Sequence, residues 1–555
     1  MNTKTKSFKD SLKELAPTYI TLFVFCYMLF IFEPISTYAQ NIHDFWCDIK
    51  MLVPLVLEMF GIFFIGSAAF FTIVYLICRK LGKSIPYKIL TAVVITLFFP
   101  LYMQNTFFNV SLPILDGSPI KWDEIQQIDV YWLLFAICIA LISICLIIKL
   151  GFDKMLKYAS FVLLAVFIML TSSLVVTITE NGALRFRNNI ITTNENFNTM
   201  SSEKNFVIFV ADTVDSQCFE DVLHEDQKYA DVFNDFTYYP DTVSVYPFTP
   251  YSIPTILSGI ITKNEVPIDE YCNKAYNNSP FFSELDERGY DINLYEEFFV
   301  WTGNREFDVK NGKSIYDYQI KIDKFLNNEL KYIWFKFTPY ILKKLVDINE
   351  VDFKFGVNMD NDLFSWKNPS FYQTVRENPE IEKQNRNTFQ FIHTEGAHFP
   401  FVYDENVNKV YGGTSYPDMV KATITTIKAY IDRLKANGLY DNTVIVIMAD
   451  HGIARDGNDG AIARLNPILL IKGQNEKHEL IRSDLPLIQT DLIDAYSQLL
   501  DGKQSTELFA NIEKMRTRTV LSHDDAFYIT EYTVEGKATE YNKFKPTGNE
   551  YPYNY

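Results

Sequence analysis

The chain has 555 residues, too many for one compact domain, and its apolar residues crowd the first 180 positions. A net charge of −17, with no basic stripe able to neutralise nucleic-acid phosphates, excludes a nucleic-acid partner. Of seven cysteines only Cys218 and Cys272 lie beyond the apolar region, so there is no dense disulfide framework; one bridge between them is left open.

Five apolar runs, at about 17–35, 52–78, 87–104, 130–149 and 158–178, each approach the roughly 20 residues that cross a hydrocarbon core. The first is too long and too weakly bounded for a cleaved signal peptide. Lys4, Lys6, Lys9 and Lys13 precede it, "RKLGKSIPYK" follows the second run and "KLGFDKMLK" the fourth. The alternate loops, "EPISTYAQNIHDFWCD" and "NTFFNVSLPILDGSPIKWDEIQQID", are acidic or neutral. The positive-inside rule therefore predicts a cytoplasmic N-terminus and, with an odd number of spans, an extracytoplasmic remainder. Such a multi-pass anchor (1–180) with a cysteine-poor outer domain is expected in a bacterial cell membrane. Glu58, inside the second run, marks either a functional site or a neutral carboxyl bonded to a neighbouring helix.

Residues 181–204 are rich in Asn, Thr and Ser and read as a juxtamembrane linker. From 205 to 555 strand-like and helix-like runs alternate, predicting an α/β domain with a mixed sheet flanked by helices. The clearest strands are "NFVIFVAD" (205–212), "DINLYEE" (291–297), "NTFQFIHT" (387–394), "NTVIVIMAD" (442–450) and "PILLIKG" (467–473). A helix is expected over 417–436, with Val420, Ile424, Ile427, Ile431 and Leu434 as its core stripe.

Two of these strands end in acid, at Asp212 and at Asp450 followed by His451. Ligands bind outside the carboxyl ends of strands in open α/β sheets, so the two ends can converge on one site. Clustered acids call for a cation, and two Asp with a His suit Zn²⁺, Mn²⁺ or a similar divalent ion. The competing reading of an Asp after a strand is a cap or turn carboxylate, and Asp215 lies close enough to Asp212 to share it. "TVSVYPFTPYSIPTILSG" (242–259) supplies hydroxyls at a predicted helix start, where an anion is favoured; Thr249 is either a nucleophile there or only a cap, as is Ser252.

Strand-Asp-Thr, then the hydroxyl of "TPYSIPTILSG", then "AHFPF", then "ADHG" occur in one order that resembles the alkaline phosphatase/sulfatase superfamily. The five-span anchor with an outer catalytic domain is similar in layout to lipoteichoic acid synthases and phosphoethanolamine transferases. The resemblance implies an extracytoplasmic sulfatase-like fold, a metal held by Asp212, Thr249, Asp450 and His451, and Thr249 as nucleophile. The ion implied is Mn²⁺ or Zn²⁺, with Mg²⁺ a third candidate. His398 matches the His that contacts the phosphoryl group or its leaving oxygen, and His393 and Glu395 flank that position as substrate or second-metal ligands. Trp301 and Arg305 resemble the pair lining the phosphate pocket of lipoteichoic acid synthases, and Asn466, beside Arg464, would orient a substrate oxygen or simply begin a strand. Sulfatases carry a Cys, converted to formylglycine, where this chain has Thr249.

The resemblance therefore implies transfer of a substituted phosphoryl group, such as glycerol phosphate or ethanolamine phosphate, from a membrane phospholipid to a surface glycan or lipid. A hydrolase using the same metal site and a non-catalytic lipid-binding relative are the alternatives. Transport finds little support in spans with one acid and no repeat. Oligomeric state and the choice of head group are not legible.

Overall fold

The computed structural model describes residues 8–552 apart from 43–44, 46, 110–111, 113–121, 123–126, 185–189, 297–307, 315, 317–321, 347, 349–363, 454–459 and 523–527. The chain divides into two compact units, Met1–Arg187 with Tyr318–Asn358, and Asn188–Asp317 with Met359–Tyr555.

Among its described residues the first unit holds five helices long and apolar enough to cross a membrane: Ser11–Gln40, Ile49–Lys80, Ile85–Phe108, Asp129–Leu150 and Phe152–Glu180. Asp48 caps the second, its side chain accepting the Lys50 amide at 2.7 Å. Glu58 is exposed on that helix, and no hydrogen bond from it to a neighbouring helix is seen among the described residues. The Tyr318–Asn358 stretch, which its place in the chain assigns to the outer domain, belongs to this unit instead. Its helix Ile322–Phe337 has a mixed face that membrane helices satisfy. Ile333 and Phe337 pack with Val24, Met28 and Phe98, the Tyr332 hydroxyl lies 2.9 Å from Thr37 Oγ1, and Lys336 Nζ lies 3.4 Å from buried Glu33.

The second unit is built on a seven-stranded sheet: β1 Asn205–Ala211, β2 Thr237–Tyr238, β3 Tyr290–Tyr295, β4 Asn387–Thr394, β5 Thr443–Met448, β6 Leu469–Lys472 and β7 Ile481–Arg482, in the order β7-β2-β6-β5-β1-β4-β3. The central strands β5, β1, β4 and β3 run parallel, and β6 is antiparallel to β5. Both faces of β1 are covered, which is why it reads as an unbroken apolar run. Phe206, Ile208 and Val210 enter one core; Val207, Phe209 and Ala211 enter the other. Cys272 sits in the first and Cys218 in the second, so the sheet separates them and no disulfide joins them.

Among the helices that frame the sheet are α1 Ser216–Glu225, α2 Thr249–Ser258, α3 Tyr416–Ala436 and α4 Leu492–Leu500. The expected stripe of α3 is buried throughout. Three further strands, β8 Arg518–Ser522, β9 Tyr528–Val534 and β10 Phe544–Pro552, form an antiparallel meander near the C-terminus.

Candidate metal centre and nucleophile

Parallel register places the carboxyl ends of β1, β4 and β5 side by side, pairing Val210 with His393 on one flank and Met448 on the other. Residues just past those ends therefore meet. Asp212, His393 and Asp450 offer ligand atoms all within 4.8 Å of one another. His451 Nε2 lies 3.8 Å from Asp212 Oδ1 and 3.5 Å from Asp450 Oδ2. All four side chains are buried.

The backbone that holds Asp212 is tight. Its amide donates to Thr394 O at 3.1 Å, and the Ala397 amide donates to Asp212 O at 2.9 Å. Gly396 crosses directly over it with φ +55°, and a Cβ there would lie 2.3 Å from the Asp212 carbonyl oxygen. Only glycine lets that turn pass. Thr213 takes φ +57°, a strained conformation for a β-branched residue, and so directs its amide to Asp450 Oδ1 at 3.4 Å. The Tyr416 hydroxyl clamps the same turn, donating to Thr213 O at 2.7 Å and accepting the Asp215 amide at 2.9 Å. Asp215 is the N-cap of α1, accepting the Cys218 amide at 2.9 Å. Of the two neighbouring acids, one caps a helix and the other faces the cluster.

Charge divides unevenly over the cluster. Burial works to raise the Asp212 carboxyl, but the imidazoles of His398 and His393 outweigh it and hold it well below the usual carboxylate range. Burial, then the charge of Asp212, pushes Asp450 up to about 7. Burial and the Arg464 guanidinium bring His451 down to about 3, so its ring is neutral. Its Nδ1 lies 2.7 Å from the Gly452 carbonyl, an acceptor only, so Nδ1 carries the hydrogen and Nε2 presents a lone pair to the two acids. His393 goes the other way: burial opposes its charge, but Glu296 and Asp212 raise it well above the ordinary value. Asp212 Oδ1 is buried with no hydrogen-bond partner among the described residues. Two buried carboxylates, an orphaned oxygen and a bare imidazole nitrogen form a donor set that fits a divalent cation.

Thr249 is the first residue of α2, with Phe248 at the cap position and no side-chain cap bond. It does not act as a cap: its hydroxyl donates to Asp450 Oδ2 at 2.6 Å. It is only half-buried, whereas the cluster behind it is closed, so the hydroxyl is the accessible edge of the site. Ser252 points away and donates to Tyr246 O at 3.2 Å.

The remaining predicted residues take different places. His398 is half-buried beside Trp366, ring centroids 5.6 Å apart, and bears electrostatically on Asp212. Glu395 is turned away: it pairs with Lys367 at 3.0 Å and accepts the Asn368 amide at 3.1 Å, so it is not a ligand. Asn466 is buried, its amide nitrogen donating to Pro240 O at 3.0 Å and Thr242 O at 2.9 Å. That amide is committed to backbone and not to a substrate oxygen. Arg464 accepts the Gly452 amide through its carbonyl at 2.6 Å, while its guanidinium bears electrostatically on Asp212 and Asp450. Trp301 and Arg305 lie outside the described residues.

Two contributors escape a reading of the sequence. Glu296, just beyond β3, lies 2.5 Å from His393 Nδ1. Gln489 is fully buried; its amide nitrogen donates to Asp450 O at 2.6 Å and its oxygen accepts the Val245 amide at 3.2 Å. Neither lies in a motif, and only the "LYEE" strand end hinted at Glu296.

Solved structures with similar folds include an alkaline phosphatase superfamily protein from Vibrio parahaemolyticus (12% identity, TM-score 0.37, covering 65% of this chain and 85% of that one). A phosphonate monoester hydrolase from Silicibacter pomeroyi matches at 12% identity and TM-score 0.34, over 62% of this chain and 88% of its own. The sulfatase PsFucS1 from Pseudoalteromonas sp. matches at 10% identity and TM-score 0.36, over 64% and 82%. No curated protein matches the chain. The Sulfatase family profile matches residues 204–506, more than half of the chain and the stretch that carries Asp212, Thr249, His393, Asp450 and His451, and the protein belongs to that family.

Proposed function

We propose that this protein transfers a substituted phosphoryl group from a membrane phospholipid to a hydroxyl on a cell-surface glycan or lipid, through a phosphothreonine at Thr249. The observation that carries this reading is the hydroxyl of Thr249 at 2.6 Å from Asp450, half-exposed at a helix N-terminus in front of a buried Asp/His/Asp cluster. Threonine cannot become formylglycine, which weighs against sulfate ester hydrolysis. Loop charge supports an outer location for residues 181–555, in the cell membrane of a bacterium.

Asp212, Asp450, His451 and His393 would hold the cation, Mn²⁺ or Zn²⁺. When bound, it supplies Lewis acidity and neutralises phosphoryl charge. Asp450 orients the Thr249 hydroxyl and accepts its hydrogen bond. Thr249 Oγ1 passes its proton to Asp450 Oδ2 and bonds to phosphorus as the phosphorus–oxygen bond to diacylglycerol breaks, and His398 gives the departing oxygen a proton. The N-terminus of α2 favours the phosphoryl oxygens. In the return step an acceptor hydroxyl loses its proton to His398 and bonds to phosphorus as the phosphorus–oxygen bond to Thr249 breaks, and Thr249 Oγ1 takes its proton back from Asp450. The transferred group is glycerol phosphate or ethanolamine phosphate.

Intact-mass measurement of the full chain, incubated with phosphatidylglycerol or phosphatidylethanolamine and Mn²⁺, tests this. An adduct absent from Thr249→Ala supports the covalent route, and its mass names the head group. Head groups released into water without any adduct or acceptor product would assign hydrolysis. Bound Mn²⁺ with neither adduct nor release would sink the reading.

A further inference from the structure

We propose that the lysine-rich end of the membrane bundle holds a binding site for an anionic phospholipid, distinct from the reaction centre. A cavity of about 1020 Å³ opens there between the starts of the first, third and fifth spans and the end of the second. That volume is far more than an inorganic ion requires and matches the upper range of pockets that bury a sizeable ligand. Its walls are apolar where Ile20, Leu156 and Phe161 line it.

The polar lining is lopsided: Lys13, Arg79, Lys83, Lys88 and Lys157 against Glu14 and Asp153. Both acids are already engaged. Asp153 pairs with Lys88 at 2.6 Å, and Glu14 accepts the Tyr75 hydroxyl at 2.8 Å. Lys13, Lys83 and Lys157 have no carboxylate partner among the described residues. Three ammonium groups thus lack counter-ions beside an apolar cavity among helices suited to a bilayer. Lysine stems can lie along apolar surface while their heads converge on one anion. A phosphate with attached acyl chains satisfies both halves of the site, and basic pockets between spans recognise such head groups. A zwitterionic lipid would bring a second positive charge into a region already in excess.

Native mass spectrometry of the full-length chain, titrated with dioleoyl phosphatidylglycerol or dioleoyl phosphatidylcholine, tests the site. Retention of the anionic lipid is expected at lower concentration than of the zwitterionic one. The triple variant Lys13→Gln, Lys83→Gln, Lys157→Gln should weaken phosphatidylglycerol retention by at least about tenfold. A charge-matched control, Lys80→Gln, Lys149→Gln, Lys154→Gln, removes lysines that do not line the cavity and should leave retention unchanged. Equal retention of the two lipids, or equal loss in both triple variants, overturns the proposal. Displacement of the lipid by millimolar inorganic phosphate would overturn it in favour of a soluble anion. Thr249→Ala should retain the lipid as wild type does, which separates this site from the transfer reaction.

Discussion

Glu296 Oε2 lies 2.5 Å from His393 Nδ1, and both side chains are buried. Strands β3 and β4 bring them together by pairing Tyr295 with Ile392, so the next residue of each strand faces the other. A carboxylate behind an imidazole fixes the ring and makes its far nitrogen a better ligand. Here that nitrogen lies 3.7 Å from Asp212 Oδ2. Glu296→Gln is expected to lower Mn²⁺ or Zn²⁺ affinity by about 10- to 100-fold, read by isothermal titration calorimetry. Unchanged affinity would remove His393 from the ligand set.

Asp212 and Asp215 are chemically alike and close in sequence, yet their substitutions should separate cleanly. Asp215→Ala removes the cap of α1 and should cost about 1 kcal/mol of stability while leaving metal affinity within a few-fold. Asp212→Asn should abolish metal binding with little loss of stability in the absence of metal, because it removes a buried charge. Thermal melts with and without Mn²⁺ distinguish the two. A shared phenotype would mean that the cap and the ligand are not independent.

Gln489 supports Asp450 from behind through two buried hydrogen bonds. Gln489→Leu would orphan the Asp450 carbonyl and the Val245 amide, at about 1–3 kcal/mol for each group left unsatisfied. Since Asp450 also positions Thr249, turnover should fall together with thermal stability. Loss of stability with full turnover would confine Gln489 to a packing role.

Glu329 lies buried on the Ile322–Phe337 helix, with Oε2 lacking a hydrogen-bond partner among the described residues. Burial, and then the nearby Glu33 carboxylate, push it up to about 8. Its folded pKa therefore lies above the unfolded value of 4.5, and the folded state holds a proton that the unfolded chain releases in between. This contribution is whole below about pH 4.5 and is lost as pH rises towards 8. Melting of the full chain in detergent should accordingly fall in temperature across that window, and Glu329→Gln should flatten the decline. A decline of equal slope in the variant would assign it to other groups.

Much of the architecture was legible because it is local. Length and apolarity marked five spans, and strand-like runs marked β1, β3, β4, β5 and β6 within one or two residues; β1 and β5 are unbroken apolar runs because buried parallel strands need apolar side chains on both faces. The two-residue strands β2 and β7 carry no such signal. The acids at the ends of β1 and β5 were visible for the same reason that a strand end is visible. What the chain alone could not decide was which neighbouring groups share a space. Asp212 and Asp215 look interchangeable until the Gly396 crossing and the α1 cap separate them. His393 is marked by the resemblance only as a substrate or second-metal ligand beside His398, until parallel register sets it between Asp212 and Glu296, and Gln489 has no local mark at all. The Tyr318–Asn358 stretch likewise shows its unit only through its partners, Thr37, Glu33 and the spans around them. Hydrophobic period and strand length are properties of a segment; ligand geometry and domain membership arise from pairings between segments far apart in the chain, which only the folded sheet and bundle bring together.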